Sequence, residues 1–398
     1  MARENLHGLP PEIILQIMHQ LPDLESLESM IQIFRDARRG LLTRMVPKLY
    51  GELMPEAIAA IRSEGLSLTR NMKQAIAVLD DRRRWKEIVD LQKQRENRPD
   101  TFVNMGEVMK LLRLHKTVQF FLKDFPEHQR LSQRLLTGEN RIDWLDVAFR
   151  LSDTETLRLT RALLRIQTYC RIFGKQETRM SGPNPSLLLE YLDPNSGPCP
   201  DFGLLPPWKM EEIACVWKYL QEKSSPLINQ VRKNLLSLSG LGTGKLNMDQ
   251  VLERRQFRIT DVCDGMDARM PLFIGPMFMY RLAHAKPGHQ STMAVANDPG
   301  NSNAREVEAF LINPSLRPGA ERLLDPVEKY DVDTVEELES TFTDLERPSV
   351  GWMEKIKTWS LAQESAAVPA FIPIWHLDDH FGDDPDWRWG SAIWDEAD

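Results

Sequence analysis

Three stretches of this 398-residue sequence gather side chains that could do chemistry. The run His376-Leu377-Asp378-Asp379-His380 sets two imidazoles beside two carboxylates. Those donors can hold a hard or borderline metal ion and so support a metal-dependent hydrolase using His376, Asp378 and His380. The histidines share a face only in a helix, and Pro373, Gly382 and Pro385 confine any helix there to about two turns. The Glu of a His-Glu-x-x-His site is also missing. A solvated acidic loop is therefore favoured, and no metal or other cofactor is expected. The second stretch, Gly240-Leu241-Gly242-Thr243-Gly244-Lys245, could cradle phosphate through glycine-turn amides. A Walker loop requires Gly at the position of Ser239 and Ser or Thr at that of Leu246, so a helix-terminating turn is the better reading. The third, Arg82-Arg83-Arg84-Trp85-Lys86, reads as the charged face of a helix with Trp85, Ile88 and Val89 turned inward. Ser, His and Asp residues occur without a Gly-x-Ser-x-Gly elbow, so no catalytic triad is assigned and a non-catalytic role is expected.

The elements that must position such groups are helical. Up to about residue 175 apolar residues recur at three- and four-residue spacing, with little strict alternation. Helices are predicted from Pro10 to Leu21, from near Asp23 to Arg39 before Gly40, over Pro55 to Ser63 with Gly65 beyond, and over Asp81 to about Lys93. A further one over Asn104 to Leu122 opens on an Asn104/Glu107 capping box. Ser152 to Phe173 carries the clearest signals: a Ser152/Glu155 box, a stripe of Leu159, Leu163, Ile166, Cys170 and Phe173, and Gly174 as a stop. From Arg179 the pattern breaks into prolines. Periodicity returns at Pro207-Trp208 with Met210, Ile213, Trp217 and Leu220, and a second run covers Pro226 to Leu238. Residues 298–303 read as loop.

Charge is unevenly spread. The chain carries 50 basic and 58 acidic side chains, a net −8 that argues against a general nucleic-acid binder. From Glu321 onward there are 20 acids against 6 bases, a net −14, which leaves the preceding residues at +6. Six of the ten tryptophans, Trp352, Trp359, Trp375, Trp387, Trp389 and Trp394, fall in the last 47 residues, so this acidic end is expected to pack on the body. The four cysteines suggest neither a disulfide framework nor a zinc site. The longest apolar stretch, Leu272 to Tyr280, is broken by Gly275 and Pro276 and is far short of the ~20 residues that span a bilayer. With no secretory pattern at the start, a cytoplasmic or nuclear protein without membrane contact is expected.

The segment Leu6-His7-Gly8-Leu9-Pro10-Pro11-Glu12-Ile13-Ile14-Leu15-Gln16-Ile17, continuing through Leu21 to Leu24 and Leu27, resembles the opening of an F-box. The resemblance implies a short helical unit that offers an apolar stripe to a groove. It implies as partners a Skp-family adaptor and, through it, the cullin of an SCF-type ubiquitin ligase, with a target protein that the sequence does not name. The adaptor-binding residues implied are Leu9, Pro10, Glu12, Ile13, Ile14, Ile17, Leu24 and Leu27. The second half of the motif departs from the family pattern at Ile33-Phe34-Arg35-Asp36-Ala37-Arg38-Arg39. Two further stretches, Arg161 to Gly174 and Trp389 to Asp395, look like segments of large F-box-like proteins of filamentous fungi.

The expected fold is mainly α. An F-box-like helical motif spans 6–50 and a helical body 51–178. A Pro-rich loop spans 179–208, a second helical part with long loops 209–330, and an acidic Trp-rich segment 331–398. The expected function is substrate recognition for a ubiquitin ligase, and the alternative is a helical interaction scaffold without that role.

Overall fold

The computed structural model describes Val46 and residues 48–66, 68–83, 103–137, 151–172, 207–240, 270–297, 347–350, 352–353 and 393. Among these residues the chain is helical and has no strand. A 3-10 turn, Gly51–Leu53, leads into α1 (Met54–Arg62) and α2 (Leu68–Arg83). Then come α3 (Met105–Thr137), α4 (Asp153–Ile172) and α5 (Pro207–Gly240). Three short helices follow: α6 (Met270–Ile274), α7 (Pro276–His284) and α8 (Pro287–Asn297).

Both capping boxes form. The Glu155 amide donates to Ser152 Oγ at 3.1 Å, and the Ser152 amide donates to Glu155 Oε2 at 2.7 Å. Asn104 and Glu107 exchange the same pair of bonds at 3.0 Å each, and Glu107 also takes Arg62 Nε at 2.8 Å, tying the start of α3 to the end of α1. Helix α4 lies at the centre and packs against α1, α3, α5, α6 and α7. Its predicted stripe is buried at Leu159, Leu163, Ile166 and Cys170, while Phe173 and Gly174 lie outside the described residues. The main core joins these residues to Ile58 and Ile61 of α1, Leu111, Leu112 and Phe125 of α3, and Trp208, Trp217 and Leu220 of α5. A second cluster, Ile228, Val231, Leu235, Ile274, Phe278, Leu282 and Val295, fills the space between the far half of α5 and α6 to α8.

Several elements differ from the sequence reading. Asp81 to Arg83, the start of the helix predicted to Lys93, belong to a longer helix that starts at Leu68 and bends at Asn71 (φ −126°, ψ 36°), where a polar run hides the periodicity. Residues beyond Arg83 up to 102 lie outside the described set. Helix α3 continues past Leu122 through the buried Pro126, and the two runs expected after Pro207 form the one helix α5 with the exposed Pro226 inside it. Each proline removes one backbone donor, yet both helices continue past it. Pro207 and Trp208 belong to α5, so the expected loop 179–208 ends earlier, and its other residues lie outside the described set. Helix α8 carries a weak apolar pattern and was not anticipated. At the other boundary, Val46 and Tyr50, the last part of the expected 6–50 motif, are buried in the main core. The Tyr50 hydroxyl donates to the Leu111 carbonyl at 2.8 Å.

The expected break at Gly275-Pro276 is real. Gly275 has φ +110° and ψ 172°, a region that glycine alone occupies readily. An added Cβ there would sit 3.0 Å from Gln167 Nε2 and 3.2 Å from Cys170 Cβ. Gln167 Oε1 also accepts the Met277 amide at 2.8 Å, capping α7 from α4. Gly275→Ala is therefore expected to destabilise the chain by about 1–3 kcal/mol, read as a lower urea midpoint with unchanged slope.

Candidate functional site

The residues singled out for adaptor binding, Leu9, Pro10, Glu12, Ile13, Ile14, Ile17, Leu24 and Leu27, lie outside the described residues, as do His376, Asp378 and His380 and the run from Leu241 to Lys245. The polar chemistry that the structure does describe is concentrated on α4 and between α3 and α5.

Helix α4 buries three arginines at i, i+3 and i+7. Arg158, Arg161 and Arg165 are 4%, 1% and 6% exposed. A guanidinium keeps its charge in any such setting, so each one requires acceptors. Arg161 forms a fork with Glu212 of α5, Nε to Oε2 at 3.0 Å and Nη2 to Oε1 at 2.5 Å, and both side chains are 1% exposed. Arg165 Nη2 donates to Glu56 Oε1 of α1 at 2.9 Å, and Arg82 of α2 stands 4.0 Å from the same oxygen. Arg82 therefore turns toward Glu56, 10% exposed, instead of lying on a solvated face as the basic run suggested. Arg158 donates to the carbonyls of Ile393 at 3.1 Å and Pro348 at 3.5 Å. Arg171 donates to the Ala60 carbonyl and to Met277 Sδ. Close to Arg158, Trp352 stacks edge-on against Trp208 with ring centroids 5.3 Å apart. The rest of the Trp-rich segment 331–398 falls mostly outside the described residues.

Burial pushes the Glu56 carboxyl up, but Arg165, Arg82 and Arg161 outweigh it and hold it below the ordinary carboxylate value. Burial lowers Arg165, and Glu56 opposes that shift. These groups fix helices; none is poised as an acid, base or nucleophile. The Cys170 thiol is also raised by burial and donates to the Leu272 carbonyl at 3.3 Å, which makes it an inert core group.

A second, half-buried cluster joins α3 to α5. His128 Nε2 meets Glu222 Oε2 at 2.7 Å. The Tyr219 hydroxyl donates to Asp124 Oδ2 at 2.6 Å, and Lys223 Nζ donates to Asp124 Oδ1 at 2.9 Å. The His128 and Tyr219 rings meet edge to face at 5.2 Å. Burial, with the Asp124 charge adding to it, raises the Tyr219 phenol and keeps it a donor. The arrangement clasps two helices around Pro126. Among the described residues no group of three or more His, Cys, Asp or Glu is placed to hold a metal ion, and no helix is long and apolar enough to cross a membrane.

The sequence reading missed Arg158, Arg161, Arg165, Glu56 and Glu212. One available signal was that α4 carries apolar residues around most of its circumference, so arginines within it must be buried and paired. Comparison of the chain with family models, with curated proteins and with solved structures finds no match.

Two outcomes follow. Glu212→Gln is expected to cost about 3–5 kcal/mol by leaving Arg161 buried without its anion, whereas Arg161→Met with Glu212→Leu should recover most of the loss. Chemical denaturation of both variants reads the difference. The stability from Glu56 is fully present above its unfolded value near 4.5 and is lost as pH falls through the lower folded value. Glu56→Gln should flatten that acid limb in a series of urea melts between neutral and acid pH.

Proposed function

We propose that this chain is the non-catalytic substrate-recognition subunit of an SCF-type ubiquitin ligase. Helices within residues 6–50 dock on a Skp-family adaptor, and the helical body behind them holds a target protein. The observation that carries the reading is the run Leu9-Pro10-Pro11-Glu12-Ile13-Ile14, with Ile17, Leu24 and Leu27 spaced for one apolar stripe. A recognition subunit acts by proximity, so its docking module must be coupled stiffly to the target-binding body. Burial of Val46 and Tyr50 in the main core supports such a coupling, because the chain is anchored at the end of the box-like segment.

The same burial favours a second reading. The body that covers Val46 and Tyr50 could also cover the stripe before them, leaving a helical interaction scaffold without a ligase role. Affinity purification at native concentration separates the two. The ligase reading expects a Skp adaptor and a cullin with the wild type, and neither with Leu9→Asp plus Ile13→Asp, the far-UV helical signal remaining intact. If the wild type brings down neither partner, or the double variant unfolds because the stripe is internal, the scaffold reading replaces it.

A further inference from the structure

One face of the body is basic and aromatic, with acids only at its two ends among the described residues: Glu64 beside Lys110 and Arg113, and Glu127 one turn beyond Lys123. From Val108 to Lys123 helix α3 has no acidic residue and carries Lys110, Arg113, Lys116 and Lys123. The whole of 276–297, covering α7 and α8, also lacks acids and carries Arg281 and Lys286 with His284 and His289. The two elements meet through rings. Phe120 of α3 lies 5.4 Å from Tyr280 and 5.0 Å from His284, both edge to face, and the two α7 rings are 4.2 Å apart. Lys116 stands one turn before Phe120 and Lys123 one turn after it, so they flank the aromatic seam on one side of α3. Arg113, Lys123, His284 and Lys286 are exposed, and Lys116, Phe120 and Tyr280 are half-buried. Lys110 pairs with Glu64 at 2.6 Å at one end of the stripe. Arg113, Lys116, Lys123 and Lys286 make no ion pair with any described residue.

We propose that this α3–α7 face is a docking surface for an acidic peptide segment of a partner protein. The proposal rests on the recognition role above and names the chemistry of its target. Charge complementarity selects an anionic occupant, and the partly exposed rings add apolar area for an aromatic or aliphatic side chain within it. From Arg113 to Lys123 the stripe extends about 15 Å along the helix axis, which matches about five residues of extended peptide. A nucleic-acid backbone fits less well. The cations are few and local, and the chain's net charge of −8 repels a long polyanion.

The test uses the full chain and a short fluorescein-labelled peptide of Glu and Asp with one Tyr, followed by anisotropy. Binding is expected that weakens as salt rises. Lys116→Glu with Lys123→Glu should weaken it about tenfold or more, since each reversal replaces an attraction by a repulsion. Phe120→Ala should weaken it with the salt dependence kept. Lys123 is exposed and Lys116 and Phe120 are half-buried, and an unchanged helical signal and urea midpoint check that the fold persists in each variant. Unaltered affinity in the charge-reversed variant overturns the proposal, as does tighter binding of a single-stranded oligonucleotide of equal charge. Cross-links from Lys116 or Lys123 to residues 354–392 of the same chain without peptide would also overturn it, by assigning the face to the chain's own acidic segment. Adaptor recovery by the charge-reversed variant should equal that of the wild type. Peptide binding without any adaptor recovery overturns the ligase reading and leaves the docking surface standing.

Discussion

Permanent charge inside a helical core is the constraint on which this structure depends. Helix α4 touches five other helices and cannot turn its arginines to water. Arg161 has to find Glu212 on α5, and Arg165 has to find Glu56 on α1. Apolar burial supplies most of the driving force, but it is non-directional and would tolerate α1 or α5 sliding along α4 by a turn. The forked Arg161–Glu212 pair does not tolerate this, because a shift of about 5.4 Å leaves two buried ions without partners. The ion pairs thus specify the register that the apolar contacts make stable.

The same logic extends along α3 and α5, both interrupted internally by proline. Pro126 removes the amide that would bond to the Leu122 carbonyl, and Pro226 removes the one that would bond to Glu222. A helix weakened in this way requires outside support if it is to continue. Asp124 and His128, either side of Pro126, are both held by a single turn of α5, Tyr219 to Lys223, just ahead of Pro226. Phe125 and the Tyr219 ring pack between them at 5.0 Å. The clasp therefore brackets the break in α3 and grips α5 in the turn before Pro226, so α5 splints α3 where that helix lacks its own bond.

What the sequence made legible follows from which signals are local. Capping boxes are local, and both the Asn104/Glu107 and Ser152/Glu155 pairs form as read. The Gly275-Pro276 break was legible for the same reason, because one residue's backbone preference decides it. Helix lengths were not, since Pro126 and Pro226 signal termination locally and are overruled by contacts from distant residues. The pairing of Arg165 with Glu56 spans 109 positions and that of Arg161 with Glu212 spans 51, and no spacing rule encodes either. A charged side chain read alone is taken as solvated, which is why Arg82 was assigned to an outer face. The box-like residues from Leu9 to Leu27 are a sequence signal of the local kind, and they lie outside the described residues.

Internal pairing also occupies several acids of the bundle. Glu56 and Glu212 are committed to buried arginines, Glu107 to Arg62 and to the start of α3, Glu155 to the start of α4, and Asp124 and Glu222 to the clasp. Acids spent on cations and amides inside the bundle cannot neutralise lysines outside it. The residues before Glu321 carry a net +6, and the stretch from Val108 to Lys123 and the segment 276–297 hold cations without acids of their own. Each ion pair inside the bundle cancels one acid against one base, so the basic face reflects where those remaining cations stand along α3 and α7. The field of such a face, framed by low-dielectric helices, raises the encounter rate with anionic segments before any specific contact is made.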